Sequence, residues 1–378
     1  MDTQPLTYAA AGVDYARVDA LKVLAQQAAR ATAGNAGGHG MTELAESRGE
    51  SAYVFEVNGL LIASITECLG TKSIVADEMR AVSGRTHYDT IAQDTVATAV
   101  NDLVTVGATP LSVHAYWAAG DSAWHADEAR TRDLVRGWRA ACDACRAVWG
   151  GGETPALSGL VQPGGIDLAA SCVGIVKSRE RLMLGANLAA GDAIVLLQSS
   201  GIHANGVSLA RKLAQLLSEG YRSLLDDGRT FGEALLDPTI LYPPVTEKLF
   251  AAGILPKYAV NITGHGWRKL MRHPRAFTYR IHALPPVPPV LRFMQSAAGM
   301  SSSDAYGSLN MGAGFALFVA PDTAETAVQA IRASGIDAWV VGKVESGRKR
   351  VLIEPLGVEF EAEDLQLRDL SPPPAATR

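Results

Sequence analysis

Apolar positions along the chain change their period several times, and each change predicts an element. Over residues 13–32, Val13, Leu21, Leu24, Ala25 and Ala28 recur at helical spacing in an alanine-rich stretch. That stretch runs into Ala33-Gly34-Asn35-Ala36-Gly37-Gly38-His39-Gly40, which is too glycine-rich to hold regular structure. Ala52 to Val57 and Leu60 to Ile65 are β-prone runs separated by Asn58-Gly59, a strong hairpin signal because both turn residues need positive φ. Residues 90–105 read as helix, Thr109 to Tyr116 as strand, 125–148 as a long helix and Asp167 to Val176 as strand. In the second half, Ala193 to Leu197 has the pattern of a buried strand, and Asn205-Gly206 opens a helix through Leu217. Asp237-Pro238 precedes a further helical stretch that Pro243-Pro244 must interrupt or begin. Ala259 to Ile262, Ala316 to Val319, Trp339 to Val344 and Val351 to Ile353 read as strands, and 323–334 as helix. Helices and hairpin-type strands alternate without a steady strand–helix–strand rhythm. The expected fold is α+β with two domains of similar size, 1–176 and 177–356, followed by a tail at 357–378 that frays around Ser371-Pro372-Pro373-Pro374.

Composition narrows the class. The 378 residues are 48% hydrophobic and 19% charged, a mixture that can bury a large core. Lys and Arg number 34 against 39 Asp and Glu, a net charge of −5, and no basic run stands out. Nucleic-acid binding through phosphate contacts is therefore disfavoured. No apolar run approaches the ~18–20 residues needed to cross a bilayer, and Met1-Asp2-Thr3-Gln4-Pro5 does not resemble a secretory signal. A cytoplasmic chain is expected. Of four cysteines, Cys142 and Cys145 form a C-x-x-C within a helical stretch and read as two thiols near the core, since no second pair completes a zinc site. The excess is in glycine, 37 residues, and the glycines cluster beside residues that carry chemistry.

Six clusters stand out. Thr66-Glu67-Cys68-Leu69-Gly70-Thr71-Lys72 puts an acid at a strand end, then a glycine turn, then Thr-Lys, the set that phosphate and Mg²⁺ handling requires. On the helix 90–105, Asp94, Asn101 and Asp102 share one face among small and apolar residues, and no basic residue lies between His87 and His114 to pair with them. Gly150-Gly151-Gly152-Glu153-Thr154 lets backbone approach a ligand and adds another oxygen donor. Ser199-Ser200-Gly201-Ile202-His203-Ala204-Asn205-Gly206 is a strand-to-helix turn with an imidazole that serves either as a loop cap or as a substrate contact. Ile262-Thr263-Gly264-His265-Gly266-Trp267 is a glycine turn entering a helix, suited to an anion. Asn310-Met311-Gly312-Ala313-Gly314 places glycines beside a strand.

Taken in order, these segments resemble the aminoimidazole ribonucleotide synthetase family, also called phosphoribosylformylglycinamidine cyclo-ligases. Tyr8-Ala9-Ala10-Ala11-Gly12-Val13-Asp14 resembles the family's Y-x-x-A-G-V-D, and His87-Tyr88-Asp89-Thr90-Ile91-Ala92-Gln93-Asp94 with Val100-Asn101-Asp102-Leu103 resembles H-D-T-I-G-I-D…V-N-D-L. Gly151-Gly152-Glu153-Thr154, Ser199 to Gly206 and Asn310 to Gly314 fall where the family has GGET, SSGxHSNG and FNxGxG. The resemblance implies two α/β domains, an expected homodimer pairing through N-terminal strands, and ATP with Mg²⁺ acting on a small, phosphorylated substrate. It implies metal ligation by Glu67, Asp94 and Asp102, and nucleotide contacts from Gly70, Thr71, Lys72, Asp89, Thr90, Asn101, Gly151, Gly152, Glu153 and Thr154. Ser200, His203, Asn205, Thr263, Gly264, His265 and Asn310 would face substrate, with Lys72, His203 and Asp94 in catalytic roles.

The departures from the family pattern concentrate on the substrate side. Glu67 stands for the family's aspartate, Ala156 for a glutamate after GGET, Asn261 for a histidine, His265 for the middle glycine of L-T-G-G-G, and Gly307 for an arginine. Arg268, Lys269 and Arg272 offer anion contacts in its place. The expected function is ATP-dependent closure of aminoimidazole ribonucleotide from formylglycinamidine ribonucleotide. The alternative is a paralogue applying the same amide activation to another substrate. A catalytically inactive partner is argued against by the retained Lys72, Asp94, Asn101, Asp102 and Glu153, since an inert scaffold has no need of clustered acids.

Overall fold

The computed structural model describes residues 15–365 and 367, so the Tyr8–Asp14 motif and the Ser371–Pro374 tail lie outside the described residues. Two mixed sheets organise the chain. The first contains β1 (Met41–Glu43), β2 (Tyr53–Val57), β3 (Leu60–Cys68), β4 (Thr109–Ala119), β5 (Val148–Glu153) and β6 (Ile166–Val176), in the order β1-β2-β3-β6-β4-β5. The second contains β7 (Ala193–Gln198), β8 (Tyr258–Asn261), β9 (Phe277–Ile281), β10 (Ala313–Val319), β11 (Ala338–Ser346), β12 (Arg350–Ile353) and β13 (Val358–Glu361), in the order β13-β12-β9-β11-β7-β10-β8. Each sheet is antiparallel apart from one pair, β4 with β5 and β9 with β12. The helices are α1 (Tyr15–Ala31), α2 (Lys72–Ser83), α3 (Tyr88–Val104), α4 (Ser122–Ala126), α5 (Glu128–Cys145), α6 (Val207–Leu216), α7 (Phe231–Leu235), α8 (Pro243–Ala251), α9 (Pro289–Ala297), α10 (Ser302–Ser308) and α11 (Ala324–Arg332).

Residue chemistry accounts for the local turns. Asn58 and Gly59 take φ of 50° and 80° between β2 and β3, the left-handed pair that a tight hairpin needs. Pro243 and Pro244 begin α8, where a missing N–H costs nothing. β6 alternates strictly between buried and more exposed positions, so one face of the first sheet packs inward, against α3. β10 is buried along its whole length, because the second sheet divides two cores. Ile194 and Leu196 face the larger core, shared with the first half, while Val195 and Leu197 face the smaller one. The fold is thus α+β, and its two halves share a continuous apolar interior.

Several elements differ from the sequence reading. The glycine-rich stretch forms a 3-10 helix at Ala33–His39, a geometry short enough not to need helix-favouring side chains. The long helix expected over 125–148 is α4 and α5, split at Asp127, whose carboxylate caps α5 by accepting from the Arg130 N–H. Gly150 to Glu153 belong to β5. The second sheet continues past residue 356, since β13 pairs with β12. Helix α1 forms, but its apolar stripe lies outward, with Leu21 and Leu24 67% and 62% exposed. Cys142 and Cys145 are buried free thiols on α5, and burial pushes the Cys142 thiol up to about 11. No helix among the described residues is long and apolar enough to cross a membrane.

α3 and α5 approach closely at Gly137, where a β-carbon would lie 2.2 Å from the Asp89 carbonyl oxygen. Gly137→Ala must therefore push the helices apart and is expected to cost about 1–3 kcal/mol in urea unfolding. An unchanged midpoint would contradict this account of the packing.

Candidate active site

Polar residues of α3, Gln93, Asp94 and Asn101, reach into the second half of the chain. The Lys72 ammonium lies 2.7 Å from Asp94 Oδ2, and both side chains are fully buried. Lys72 also donates to the Asp237 carbonyl at 3.0 Å. The other Asp94 oxygen accepts from Thr239 N–H at 2.7 Å and Thr239 Oγ1 at 2.6 Å. Burial pushes the Asp94 carboxyl up, against the pull of Lys72 and the Thr239 donors. Asn101 accepts from Tyr242 N–H and donates to the Ile240 carbonyl, and Gln93 donates to the Thr239 carbonyl. One face of α3 therefore fastens the segment 237–242.

In this structure Asp94, expected as a metal ligand, and Lys72 and Asn101, expected as nucleotide contacts, are instead engaged with one another or with the segment 237–242. A shared helical face does not mean a shared ligand, because eight residues of helix separate Asp94 from Asp102 by about 12 Å. Among the described residues no group of three or more His, Cys, Asp or Glu side chains could hold a metal ion. Asp89 lies about 20 Å along α3 from Asp102. It pairs with Arg136 at 3.1 Å and accepts from Thr90 N–H. Gly151, Gly152, Glu153 and Thr154 lie at the outer edge of the first sheet, where Glu153 accepts from Thr154 N–H. A β-carbon on Gly152 would sit 2.2 Å from the Ala115 carbonyl oxygen, so this glycine serves strand packing.

The substrate-side assignments divide. His203 is folded into its own turn at φ 58°, its Nε2 accepting from Ser200 N–H at 3.1 Å. Burial, with Lys72 nearby, lowers its pKa to about 3, so the ring is neutral and is not a working acid. Ser200 donates to the Pro238 carbonyl. Asn310 is consumed by Gly201 and Ile202 carbonyls, Ser199 Oγ and Gly312 N–H. These three hold loops together.

The remaining residues do converge. A cavity of about 480 Å³ is lined by Glu67 and Gly70 after β3, Asp102 near the end of α3, Asn205 after β7, and Thr263, Gly264 and His265 after β8. Asn205 accepts from Gly264 N–H at 3.0 Å, and Asn261, which replaces the family's histidine, donates to Asp102 at 2.6 Å. Thr71 is beside the glycine turn, its Oγ1 3.5 Å from Ser208. No described side chain donates to Glu67. Burial and then repulsion from Asp102 raise its carboxyl to about 7, although Lys269 and Arg272 pull it down. Two such carboxylates suit a hard divalent cation, which commonly takes one or two protein carboxylates beside substrate oxygens.

The cavity also contains residues that motif reading did not single out. Lys22 and Gln26 of α1 line it, while His265 Nε2 and Asp19 Oδ2 lie 3.0 Å apart and Gln26 donates to the Leu367 carbonyl. Asp19, Lys22 and Gln26 form a polar stripe at helical spacing, a signal present in the sequence but masked by the neighbouring apolar one. Arg272 is spent on Gly49 and Ser51, with Glu50 at 3.5 Å, and Arg268 donates to the His265 and Gly307 carbonyls. Neither is the free anion contact expected of it.

The halves match two family descriptions, AIR synthase related protein N-terminal domain over residues 49–176 and C-terminal domain over 189–354. The chain belongs to the AIR synthase related family. A phosphoribosylformylglycinamidine cyclo-ligase from Carboxydothermus hydrogenoformans is 34% identical over 93% of this chain and 99% of its own length. One from Methanococcus maripaludis is 32% identical, over 80% of this chain and 82% of its own. Among solved structures, the hydrogenase maturation protein HypE of E. coli superposes with a TM-score of 0.54 at 18% identity, covering 75% of this chain and 81% of its own. T. maritima PurL complexed with AMPPCP gives 0.53 at 14% identity, over 82% of this chain and 44% of its own. These likenesses establish a shared fold.

Two outcomes test the reassigned residues. Lys72→Met leaves Asp94 buried without its cation and should cost about 3–5 kcal/mol of unfolding free energy, measured in urea; a loss of activity with stability intact would restore Lys72 to the chemistry. His203 has its ordinary pKa of 6.5 when unfolded and about 3 when folded, so unfolding takes up a proton between those values. Its stabilisation is complete above pH 6.5 and is lost as pH falls towards 3. His203→Asn should flatten that acid limb in denaturation midpoints compared at about pH 4.5 and about pH 7.5.

Proposed function

We propose that this chain is an ATP-dependent cyclo-ligase that converts formylglycinamidine ribonucleotide to aminoimidazole ribonucleotide in purine biosynthesis. The observation that carries the reading is the cavity in which Glu67 and Asp102, from the first half, face the Thr263–Gly264 turn and Lys269 from the second. Relatives of nearly full length bearing the cyclo-ligase name favour it over a paralogue with another substrate.

In the reaction, the bond between the γ-phosphorus and its bridging oxygen breaks with its electron pair left on ADP. A new bond forms from phosphorus to the formyl oxygen, and the amide N–H proton is released. The amidine nitrogen then attacks the formyl carbon and loses a proton to solvent. The carbon–oxygen bond breaks, and inorganic phosphate leaves with the pair. Amide oxygen is a poor leaving group until it is phosphorylated, which is the reason for spending ATP.

Glu67 and Asp102 would hold Mg²⁺, whose charge offsets that of the phosphates when bound. Without a metal, burial and then repulsion from Asp102 raise Glu67. Asn261 keeps Asp102 oriented through its amide donor. Thr263, Gly264 and Asn205 form a small turn on the opposite wall, suited to orienting the substrate's polar groups. Nucleotide use is further supported by fold neighbours complexed with AMPPCP and with ATP.

The form we propose is a cytoplasmic homodimer. Phe55, Ile62 and Ile175 lie side by side on the outward face of the first sheet, and Val173 beside them is 37% exposed. An apolar strand face of this kind suits a second copy.

The deciding experiment supplies purified protein with ATP, Mg²⁺ and formylglycinamidine ribonucleotide and measures ADP and aminoimidazole product. Turnover is expected, and Glu67→Gln or Asp102→Asn should each lower kcat by about 100-fold or more. ATP binding without turnover would favour the paralogue instead.

A further inference from the structure

A phosphoryl group in transit carries negative charge on three equatorial oxygens, and an enzyme that moves one needs a cation at hand. Family motifs point to Lys72, yet its ammonium is sealed between Asp94 and the Asp237 carbonyl. The cavity lining contains three cationic residues of the Lys and Arg type: Lys22, Lys269 and Arg272. Arg272 directs its donors to Gly49 and Ser51. Lys22 is 45% exposed on α1 and pairs with Asp19 at 3.1 Å.

Lys269 differs from both. It lies on the 3-10 helix Gly266–Met271 that follows the glycine turn, and it is 7% exposed. Its Nζ donates to Thr263 Oγ1 and, at 3.4 Å, to the Asn261 carbonyl. An ammonium has three protons, and the third has no acceptor among the described residues. Burial lowers its pKa to about 8, with Asp102 and Glu67 favouring the charge and Arg272 opposing it.

We propose that Lys269 is a catalytic residue: its ammonium neutralises the γ-phosphoryl group as it passes from ATP to the formyl oxygen, the task that the motif pattern assigns to Lys72. This deepens the cyclo-ligase reading and rests on it. Lys269 keeps its protons through the step. It contributes charge and one hydrogen bond, so the bonds broken and formed are those already described and no co-reactant is required. Thr263 and the Asn261 carbonyl hold the ammonium on the wall opposite Glu67 and Asp102. The transferring group would thus meet a protein cation on the wall that faces the two carboxylates. Asn261 links the two walls, because its amide holds Asp102 while its carbonyl receives Lys269.

The test compares Lys269→Met and Lys269→Arg with the wild type in turnover and in calorimetric binding of ADP and of β,γ-methylene ATP, both with Mg²⁺. Lys269→Met should lower kcat by about 10²–10³-fold. Its affinity for the methylene analogue should fall at least about tenfold further than its affinity for ADP, because only the analogue has a γ-phosphate. Lys269→Arg should recover part of both. Turnover of Lys269→Met within about threefold of wild type, or equal loss of affinity for the two nucleotides, would overturn the proposal. If the wild type fails to turn over formylglycinamidine ribonucleotide, the cyclo-ligase reading falls, and the difference between the two nucleotides still decides the role of Lys269.

Discussion

Burying an ammonium and a carboxylate together is costly unless every remaining donor and acceptor finds a partner. Lys72 and Asp94 answer most of that demand by reaching across the molecule. The first half of the chain supplies the two charges, and the second half supplies the Thr239 donors and the Asp237 carbonyl. Asn101 and Gln93 extend the fastening along α3. Once 237–242 is held, α8 follows directly from it, and the two sheets close on a common core. The walls of the cavity inherit their relative position from this joint. The ends of β3 and α3 form one wall, and the turns after β7 and β8 form the other.

The cavity itself has the opposite character. Its acids and bases are held partly out of water, and burial raises Glu67 and lowers Lys269. Like charges face each other where the interior joint would not tolerate it. Such a site is electrostatically incomplete in the unliganded chain and gains most from a ligand that brings both signs, as a metal–phosphate pair does. Helix α1 fits the same scheme. Its polar stripe turns towards the charged space, and the apolar stripe is left outward, the reverse of a helix that packs on a core.

Strands and helices with a clean period were legible in the sequence, as the β2–β3 hairpin and the proline start of α8 illustrate. Several elements escaped, α2 and α9 among them although each has an apolar face at helical spacing. β5 is half glycine, so its pairing is enforced by β4 rather than by its own side chains. At the site, the glycine turns mark Gly70, Asn205, Thr263 and Gly264, which line the cavity. Periodicity on α3 gave the correct face but could not distinguish an acid that looks into the interior from one that looks into a cavity. That distinction depends on 237–242, which is far away in sequence. Lys269 lay in view, beside Arg268 and Arg272, but only the hydrogen bonds of the two arginines separate it from them.

The fastening role of Lys72, Asp94, Asn101, His203 and Asn310 changes what a motif match in this superfamily certifies. These residues are what the architecture needs in order to close, so a relative stripped of activity would keep them for as long as it folded. Asp94 and Asn101 on α3 are therefore no argument against a pseudoenzyme, contrary to what the sequence suggested. Under the reading proposed above, reactivity depends instead on Glu67 and on the short stretch from Asn261 to Lys269, which is where this chain departs from the family pattern at Asn261 and His265.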